Sequence, residues 1–590
     1  MEEILIPNDS KHDVVTFEIL VEGNPISLSY QVLSIMVSKE INRVSLARLV
    51  ILDGESADRQ FEISDQTDFL PGNKISINVG RDGSNTAVFD GIIVQQGVKI
   101  SENGNSQLCI ECKDLAYMMT LNRNSRYFED VTDDQVFDDL IGRYEGLRSD
   151  PEAATTVHSE LVQHHITDWD FMLLRAESIG MLVHVDDGTV KISKPDTSAT
   201  PVLQVTYGSS LLEFEAEMNM ENQWQSVQAK SWDYENQVLF DADKDTADFS
   251  ENGNVSGAEL AGKNKIDPYL LHHSGHVKED ELQDWVNGVM LRSRLSKIRG
   301  RAKFTGYAQV KPGDMVEVSG VGNRFNGNVY ITAVKHEVGH GMWDTHVQFG
   351  MDPRRYSFLH SDTNEAQASG LLGGIRGLQI GKVVGLEGDP NGQDRILVKI
   401  PTIDNDAQGI WTRIASLDAG NERGAFFMPE IEDEVIVGFI NQDPRDAVVL
   451  GMLHSSVNPA PITASDDNHE KGFTTRSKMH IHFNDDTKTM TFDTPENNMI
   501  TLDEGNQKIE IRDQNDNYVL MESSGITVES PQKITIKAGT NIEMEAAAEF
   551  SVNAATVSIN ASGNLTAEGA VSKFAAQGIN EVTGSLVKIN

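Results

Sequence analysis

Four groups of residues in this chain have the types and spacing of chemically competent sites. His336-Glu337-Val338-Gly339-His340 has the H-E-x-x-H form, in which two imidazoles grip zinc and the glutamate acts as general base. Cys109-Ile110-Glu111-Cys112 has the C-x-x-C form of redox pairs and half zinc sites. His272, His273 and His276 crowd one short stretch, and His480 and His482 alternate around Ile481. Each chemistry requires a particular element beneath it.

H-E-x-x-H works only on a helix, where positions i and i+4 share a face. Here Val329-Tyr330-Ile331-Thr332-Ala333-Val334 approaches it with β-branched alternation, and Gly339 and Gly341 interrupt any helix. The motif therefore belongs on a hairpin, and a zinc peptidase at His336, Glu337 and His340 is not expected. Cys109 and Cys112 lie on a strand pattern, where residues three apart face opposite sides, so structural thiols are the reading there. The His272–His276 group has no carboxylate frame and reads as a solvated loop. His480 and His482 share one strand face. In a trimer six imidazoles would gather near one axis if that face pointed inward, yet Ile481 and Phe483 compete for the inside.

Composition narrows the function classes. The chain has 590 residues, 49 Lys+Arg against 90 Asp+Glu, and a net charge of −41, which repels nucleic acid and anionic membranes. Two cysteines exclude a disulfide framework. Met1-Glu2-Glu3-Ile4-Leu5-Ile6-Pro7 has no basic and apolar leader pattern, so synthesis in the cytoplasm without a signal peptide is expected. G-x-S-x-G, a Walker loop and a G-x-G-x-x-G after a strand are all missing, and no cofactor is expected.

Along the chain, residues 14–112 read as strands. Thr132 with Gln135 forms a capping box before Val136, Phe137, Leu140 and Ile141. Thr167 caps a second helix that carries Trp169, Phe171, Leu174 and Ile179 and stops at Gly180. Residues 181–245 return to strands, and about 241–265, acidic and rich in Gly and Asn, reads as a mobile loop. A third helix is expected from Glu279 to Ile298, and strands resume to Phe349. The first 355 residues or so thus form two strand-rich lobes with a few helices. A linker follows over 360–377. Six short strands come next, Ile380–Gly385, Ile396–Ile400, Trp411–Ile414, Gly424–Met428, Glu434–Phe439 and Ala447–Leu450, and they suit a small OB-type barrel.

From 479 to 590 apolar pairs one residue apart recur: Ile481/Phe483, Met490/Phe492, Ile500/Leu502, Ile509/Ile511, Ile526/Val528, Ile534/Ile536, and on to Val587/Ile589. Such a pair faces one side of a strand, and the intervening Gly, Asn, Asp and Ser residues turn the chain. A one-sided ribbon cannot wrap its own apolar face. Three copies around an axis would cover it, as an intertwined trimeric β-helix or β-prism needle.

The barrel segment, Trp411-Thr412-Arg413-Ile414-Ala415 through Gly424-Ala425-Phe426-Phe427-Met428-Pro429-Glu430-Ile431 to Val448-Val449-Leu450-Gly451, closely resembles the OB core of the VgrG family. These are the spikes of type VI secretion and related contractile injection systems. Ser477-Lys478-Met479-His480-Ile481-His482-Phe483 resembles the start of that family's needle. Phe89-Asp90-Gly91 and Val310-Lys311-Pro312-Gly313 match the hub in order. The resemblance implies a mainly β chain divided as hub 1–359, linker 360–377, OB barrel 378–455, connector 456–478 and needle 479–590. It implies a non-enzymatic homotrimer that joins the six-fold inner tube to a three-fold, membrane-piercing tip. Baseplate components, a PAAR-type cap and effector cargo would be partners, and the particle would deliver the chain to or through a target membrane. Leu586, Val587 and Ile589, where apolar alternation still runs as the sequence ends, are the expected cap-binding residues. The rival is a carbohydrate-cleaving trimeric tail spike. One Tyr, Tyr518, and no Trp over 479–590 weighs against its saccharide groove.

Overall fold

The strand-rich stretch expected at 14–112 forms one half of a thirteen-stranded sheet in the computed structural model, which describes residues 14–589 except 56, 103–105 and 248. The leader reading at Met1–Pro7 and the terminal Asn590 lie outside the described residues. The first lobe contributes seven strands, from Val15–Val21 to Ser106–Lys113, and the second contributes six, from Leu203–Thr206 to Met342–Phe349. Strict alternation puts Ile35, Val37, Leu49, Ile51, Ile77 and Phe89 into the first core. Val205, Val316, Ile331 and Phe349 fill the second.

One long strand, Gly327–Gly339, joins the lobes. It pairs with Met342–Phe349 and Met315–Ser319 of the second lobe and with Val32–Glu40 of the first. Lys39, buried at this junction, donates to Asp186 at 2.5 Å and to Asp187 at 2.9 Å, and Lys311 donates to Asp186 at 2.6 Å. Asp187 also accepts from the Asp90 amide at 2.9 Å, so one turn ties three segments together.

Between the lobes in sequence come the capped helices. Asp133–Ile141 starts at the Thr132/Gln135 capping box, with Thr132 N donating to Gln135 Oε1 at 3.1 Å. Asp168–Ser178 starts where Thr167 Oγ1 accepts from Asp170 N at 3.0 Å. Gly180, at φ 72°, follows its end. The third helix runs Glu279–Leu295, three residues shorter than expected, because Ser296 caps it and Ile298 already begins a strand. It covers a three-stranded sheet of Val227–Asp233, Val238–Lys244 and Tyr269–His272.

The mobile loop expected at 241–265 is corrected. Val238–Lys244 is a strand, and Ser256 caps a helix over Gly257–Asn264. Fully buried Lys297 holds the stretch between them, donating to Glu251 at 2.5 Å and to the Asn252 and Val255 carbonyls at 2.9 Å each. Glu251 in turn accepts from Gly257 N at 2.6 Å, at the start of the helix.

The linker stretch is ordered into short 3-10 turns at Ser361–Thr363 and Gln367–Gly370. Arg123 donates to the carbonyls of Asp362 and Thr363, and Ile375 N donates to Gln442 O at 2.9 Å. After it comes a closed five-stranded barrel of Gln379–Gly385, Ile396–Lys399, Ile410–Ile414, Glu434–Phe439 and Ala447–Met452, around Val383, Val398, Val437 and Val449. The strand expected at Gly424–Met428 is replaced by a two-residue hairpin of Ala419–Gly420 with Arg423–Gly424. Gly424 makes this turn possible: its φ of 135° is open to glycine, and a Cβ there would sit 2.3 Å from the Asp418 carbonyl.

Contacts divide the chain into two units, one reaching to Phe427 and taking in Ile436–Gly451, the other made of Met428–Val435 and the chain from Met452. The second unit holds a seven-stranded antiparallel meander from Glu470–Thr474 to Gly525–Glu529. Among described residues, 530–589 pair with no strand of the same chain, although the apolar pairs continue there. The strand-and-turn reading of that stretch finds no partner within one copy.

Candidate functional site

Register in the meander sorts every side chain. Ile481, Phe492, Ile500, Ile511, Val519 and Val528 stand directly across from one another in successive strands. Phe483, Met490, Leu502, Ile509, Met521 and Ile526 form a second row two residues away. Both rows lie on one face, since side chains two apart along a strand share a side. Asx turns lock the register: Asp503 accepts from Asn506 N at 2.9 Å, and Asp513 accepts from Asn515 N and Asn517 N at 2.9 Å each. Two grooves of about 850 and 800 Å³ open along these rows. Most of the apolar side chains remain exposed, an area far beyond the single exposed residues of ordinary surfaces.

The opposite face is mainly polar, and most of its charged groups are paired. Glu510 accepts from Lys508 at 3.2 Å and from Arg512 at 2.9 Å, and Tyr518 donates to Glu529 at 2.7 Å. Asp503 and Glu510 are both held below the usual carboxylate range. Asn506 lowers Asp503, and at Glu510 the bonds from Lys508 and Arg512 outweigh burial. His480 and His482 stand on this face, with Thr491, Thr501 and Asp493, and not beside Ile481 and Phe483. His480 Nδ1 meets the Asp493 carboxylate at 3.1 Å. His482 Nε2 is shielded from solvent and has no hydrogen-bond partner. The cross-strand pattern that places these histidines was visible in the sequence; their partners were not.

The remaining candidates are dispersed. His336 and Glu337 lie on the strand that joins the lobes, and His340, at φ 52°, occupies its turn. His336 is buried against Thr345 Oγ1 at 3.1 Å, and burial pushes its pKa down to about 3. Glu337 faces outward to Lys335 and to His346 at 3.1 Å. Cys112 is buried, with its thiol raised to about 12 by burial, while Cys109 sits half-buried on the other face of the same strand. His272 and His273 are exposed, and the His276 ring lies 4.7 Å from that of Tyr234, tilted by 50°. Leu586 and Ile589 are exposed, as is Val587. Among the described residues no group of three His, Cys, Asp or Glu could hold a metal ion, and no helix is long and apolar enough to cross a membrane.

Comparison with known proteins adds two family matches. Residues 11–340 match the family model described as the Alg8 N-terminal domain. Residues 379–454 match the type VI secretion system/phage-baseplate injector OB domain. Among curated proteins, the type VI secretion system spike protein VgrG3 of Vibrio cholerae is 30% identical over 113 residues, 18% of this chain and 11% of that protein. The actin cross-linking toxin VgrG1 of Vibrio cholerae is 25% identical over 155 residues, 25% of this chain and 13% of that protein. The chain thus matches only about a tenth of the length of these relatives. Among solved structures, the tail protein from Neisseria meningitidis MC58 overlaps 57% of this chain and 97% of its own, at 16% identity and a TM-score of 0.43.

Proposed function

The chain belongs to the family of the Alg8 N-terminal domain and is VgrG-like, and we propose that it is the spike and hub of a contractile injection machine. The observation that carries this reading is the open double row of apolar side chains, which one copy cannot cover, downstream of an injector-type OB barrel. Three copies would bring these faces together around an axis and exclude water from them. The polar face would then be the outer wall of a stiff needle. Residues 530–589, unpaired within the chain, would find their strand partners on neighbouring copies.

On this reading the two lobes of 1–359 form the hub on an inner tube, 378–455 the barrel and 479–590 the needle. The inner tube and baseplate proteins would hold the hub, and effector cargo would travel with it. Leu586, Val587 and Ile589 would contribute to the seat of a PAAR-type cap. The mechanism is mechanical: sheath contraction drives the needle through a membrane, and the chain supplies stiffness. No metal or cofactor takes part.

Particles assembled from this gene and its neighbours test the proposal. An antibody fragment raised against the barrel should mark one end of each sheath in electron micrographs. Sheaths that assemble and contract normally without the chain would overturn it.

A further inference from the structure

Residues 219–297 are an excursion from the large sheet. Leu211–Met218 and Ile298–Thr305, on either side of them in sequence, pair directly with each other, so the hub sheet is continuous without what lies between. The three-stranded sheet within this excursion is covered on one face, where Ala229 and Ala242 pack with Leu282, Val286 and Met290 of the helix Glu279–Leu295. On its open face Trp232 stands across from Leu239, Lys230 from Asp241 and Gln228 from Asp243.

The outer edge of this sheet, Val238–Lys244, is open as well. In the central strand the Lys230 carbonyl accepts from His273 N at 2.9 Å, and just before that strand the Ser226 carbonyl accepts from Tyr269 N at 2.8 Å. Even-numbered residues there bond toward Tyr269–His272, so odd-numbered ones bond toward Val238–Lys244. In register, Val238, Phe240, Ala242 and Lys244 turn their backbone groups inward, and Leu239, Asp241 and Asp243 turn theirs outward. Gln283 Nε2 agrees with this parity: it donates to the Asp243 carbonyl at 3.2 Å and closes that end. Among the described residues nothing else bonds to the edge. Beside it Trp232, Val238 and Leu239 remain 44%, 50% and 54% exposed. Buried Asp233 holds the hairpin in shape, accepting from Glu235 N at 3.0 Å and from Asn236 Nδ2 at 2.8 Å.

We infer that Val238–Lys244 receives a short extended segment of another protein as a fourth strand, and that this segment is basic. Strand addition supplies main-chain hydrogen bonds at Leu239 and Asp241, and side chains choose the partner. On the open face the incoming residue beside Leu239 and Trp232 is apolar. Those beside Asp241 and Asp243 are Lys or Arg, because opposite charges directly across a ladder attract. The residues between them lie on the helix side and cover Val238 and Phe240. Lys230 reaches Asp241 only at 3.9 Å, and the Asp243 carboxylate has no partner among the described residues, so both acids are open to a closer cation. The same carboxylates repel a copy of this chain, whose net charge is −41. Charges on an edge strand ordinarily keep sheets apart. An edge built only to repel would not carry three exposed large apolar side chains beside them.

The test is hydrogen exchange on the full chain with the synthetic peptide Thr-Tyr-Val-Lys-Val-Lys-Thr and its reverse at millimolar concentration, beside versions with glutamate in place of lysine. A lysine peptide should slow exchange at the Leu239 and Asp241 amides and leave those of Phe240 and Ala242, already bonded to the neighbouring strand, unchanged. The glutamate peptides should not. In the chain carrying Asp241→Lys and Asp243→Lys the preference should reverse, with the lysine peptide bound about tenfold more weakly. Unaltered protection at Phe240 and Ala242 checks that this variant keeps its sheet. Amides that respond to neither lysine peptide, or a preference that survives the charge reversal, overturn the inference. Slow exchange at Leu239 and Asp241 without any peptide overturns it too, because the protein or a second copy then already covers the edge.

Discussion

Ile35 and Val37 on a hub strand are 2% and 1% exposed, whereas Ile500 and Ile511 on needle strands keep 41% and 44% of their surface. Both regions alternate apolar and polar residues with the same period, and both build antiparallel ladders. The difference is what lies opposite the apolar face. In the hub, apolar residues of strands far apart in the chain, such as Ile19, Ile35, Leu49, Ile77 and Leu108, pack with Phe69 into one shared core. In the needle sheet the turns between strands are only a few residues long and send the chain straight back beside itself, so nothing returns to cover the face. Alternation decides which side of a sheet is apolar; connection length decides whether the same chain can bury it.

The sharpest way to break this contrast is a charge on each face of the needle sheet. Ile511→Asp should abolish soluble assembly, because the buried carboxylates of three copies would face desolvation and each other. Thr501→Asp, on the polar face, should leave assembly intact. Gel filtration of both variants checks the pair, and equal behaviour would erase the distinction between the faces.

A hub substitution should do the reverse. Lys297→Ala leaves Glu251 and two carbonyls without their donor, a loss of about 3–5 kcal/mol for a broken buried pair. Hydrogen exchange should show residues 245–265 opening while the oligomeric mass stays unchanged. Protection preserved there would mean that Lys297 is not what orders the segment.

Acid should act next most strongly on the hub. Burial pushes His184 down to about 4 and His336 down to about 3, against about 6.5 in an unfolded chain. The unfolded state therefore takes up these protons first. Stability falls as pH drops below about 6.5 and stops falling on their account only near the folded values. Burial alone would raise Asp186, but Lys39 and Lys311 hold it below its ordinary value. The stability it provides is present above about pH 4 and is lost as pH falls through the lower folded value. Calorimetry across this range should show a falling hub transition, and His336→Gln should flatten the slope by about one proton. An unchanged slope would contradict the assignment to His336.

The smallest effect is expected at Glu337→Gln. This side chain sits on the outer face of the strand joining the lobes, and its loss should move stability by less than about 0.5 kcal/mol. Metal analysis of the purified chain should find no stoichiometric zinc. One zinc per chain, lost on His340→Ala, would restore the peptidase chemistry that the hairpin argues against.

Local chemistry made much of this architecture legible. Thr132 with Gln135, and Thr167 before Asp170, announced two helices because capping needs only neighbours in sequence. The apolar pairs gave the needle faces because a strand's period is two. The sequence was silent where distant residues decide. Composition made 241–265 look mobile, yet Lys297, some forty residues on, orders it. At Gly424 a strand expectation gave way to a tight hairpin, whose close approach to Asp418 only a residue without a Cβ allows. His480 and His482 could be placed on a common face from spacing, but the Asp493 partner comes from the neighbouring strand.

The central claim is that the needle face is closed only by other copies of the same chain. Light scattering on the purified protein at micromolar concentration measures this directly. The account predicts a particle of three times the 65.0 kDa chain mass that resists dissociation on dilution, since folding and association of the needle are coupled. A monodisperse, cooperatively folded particle of one chain mass would contradict it.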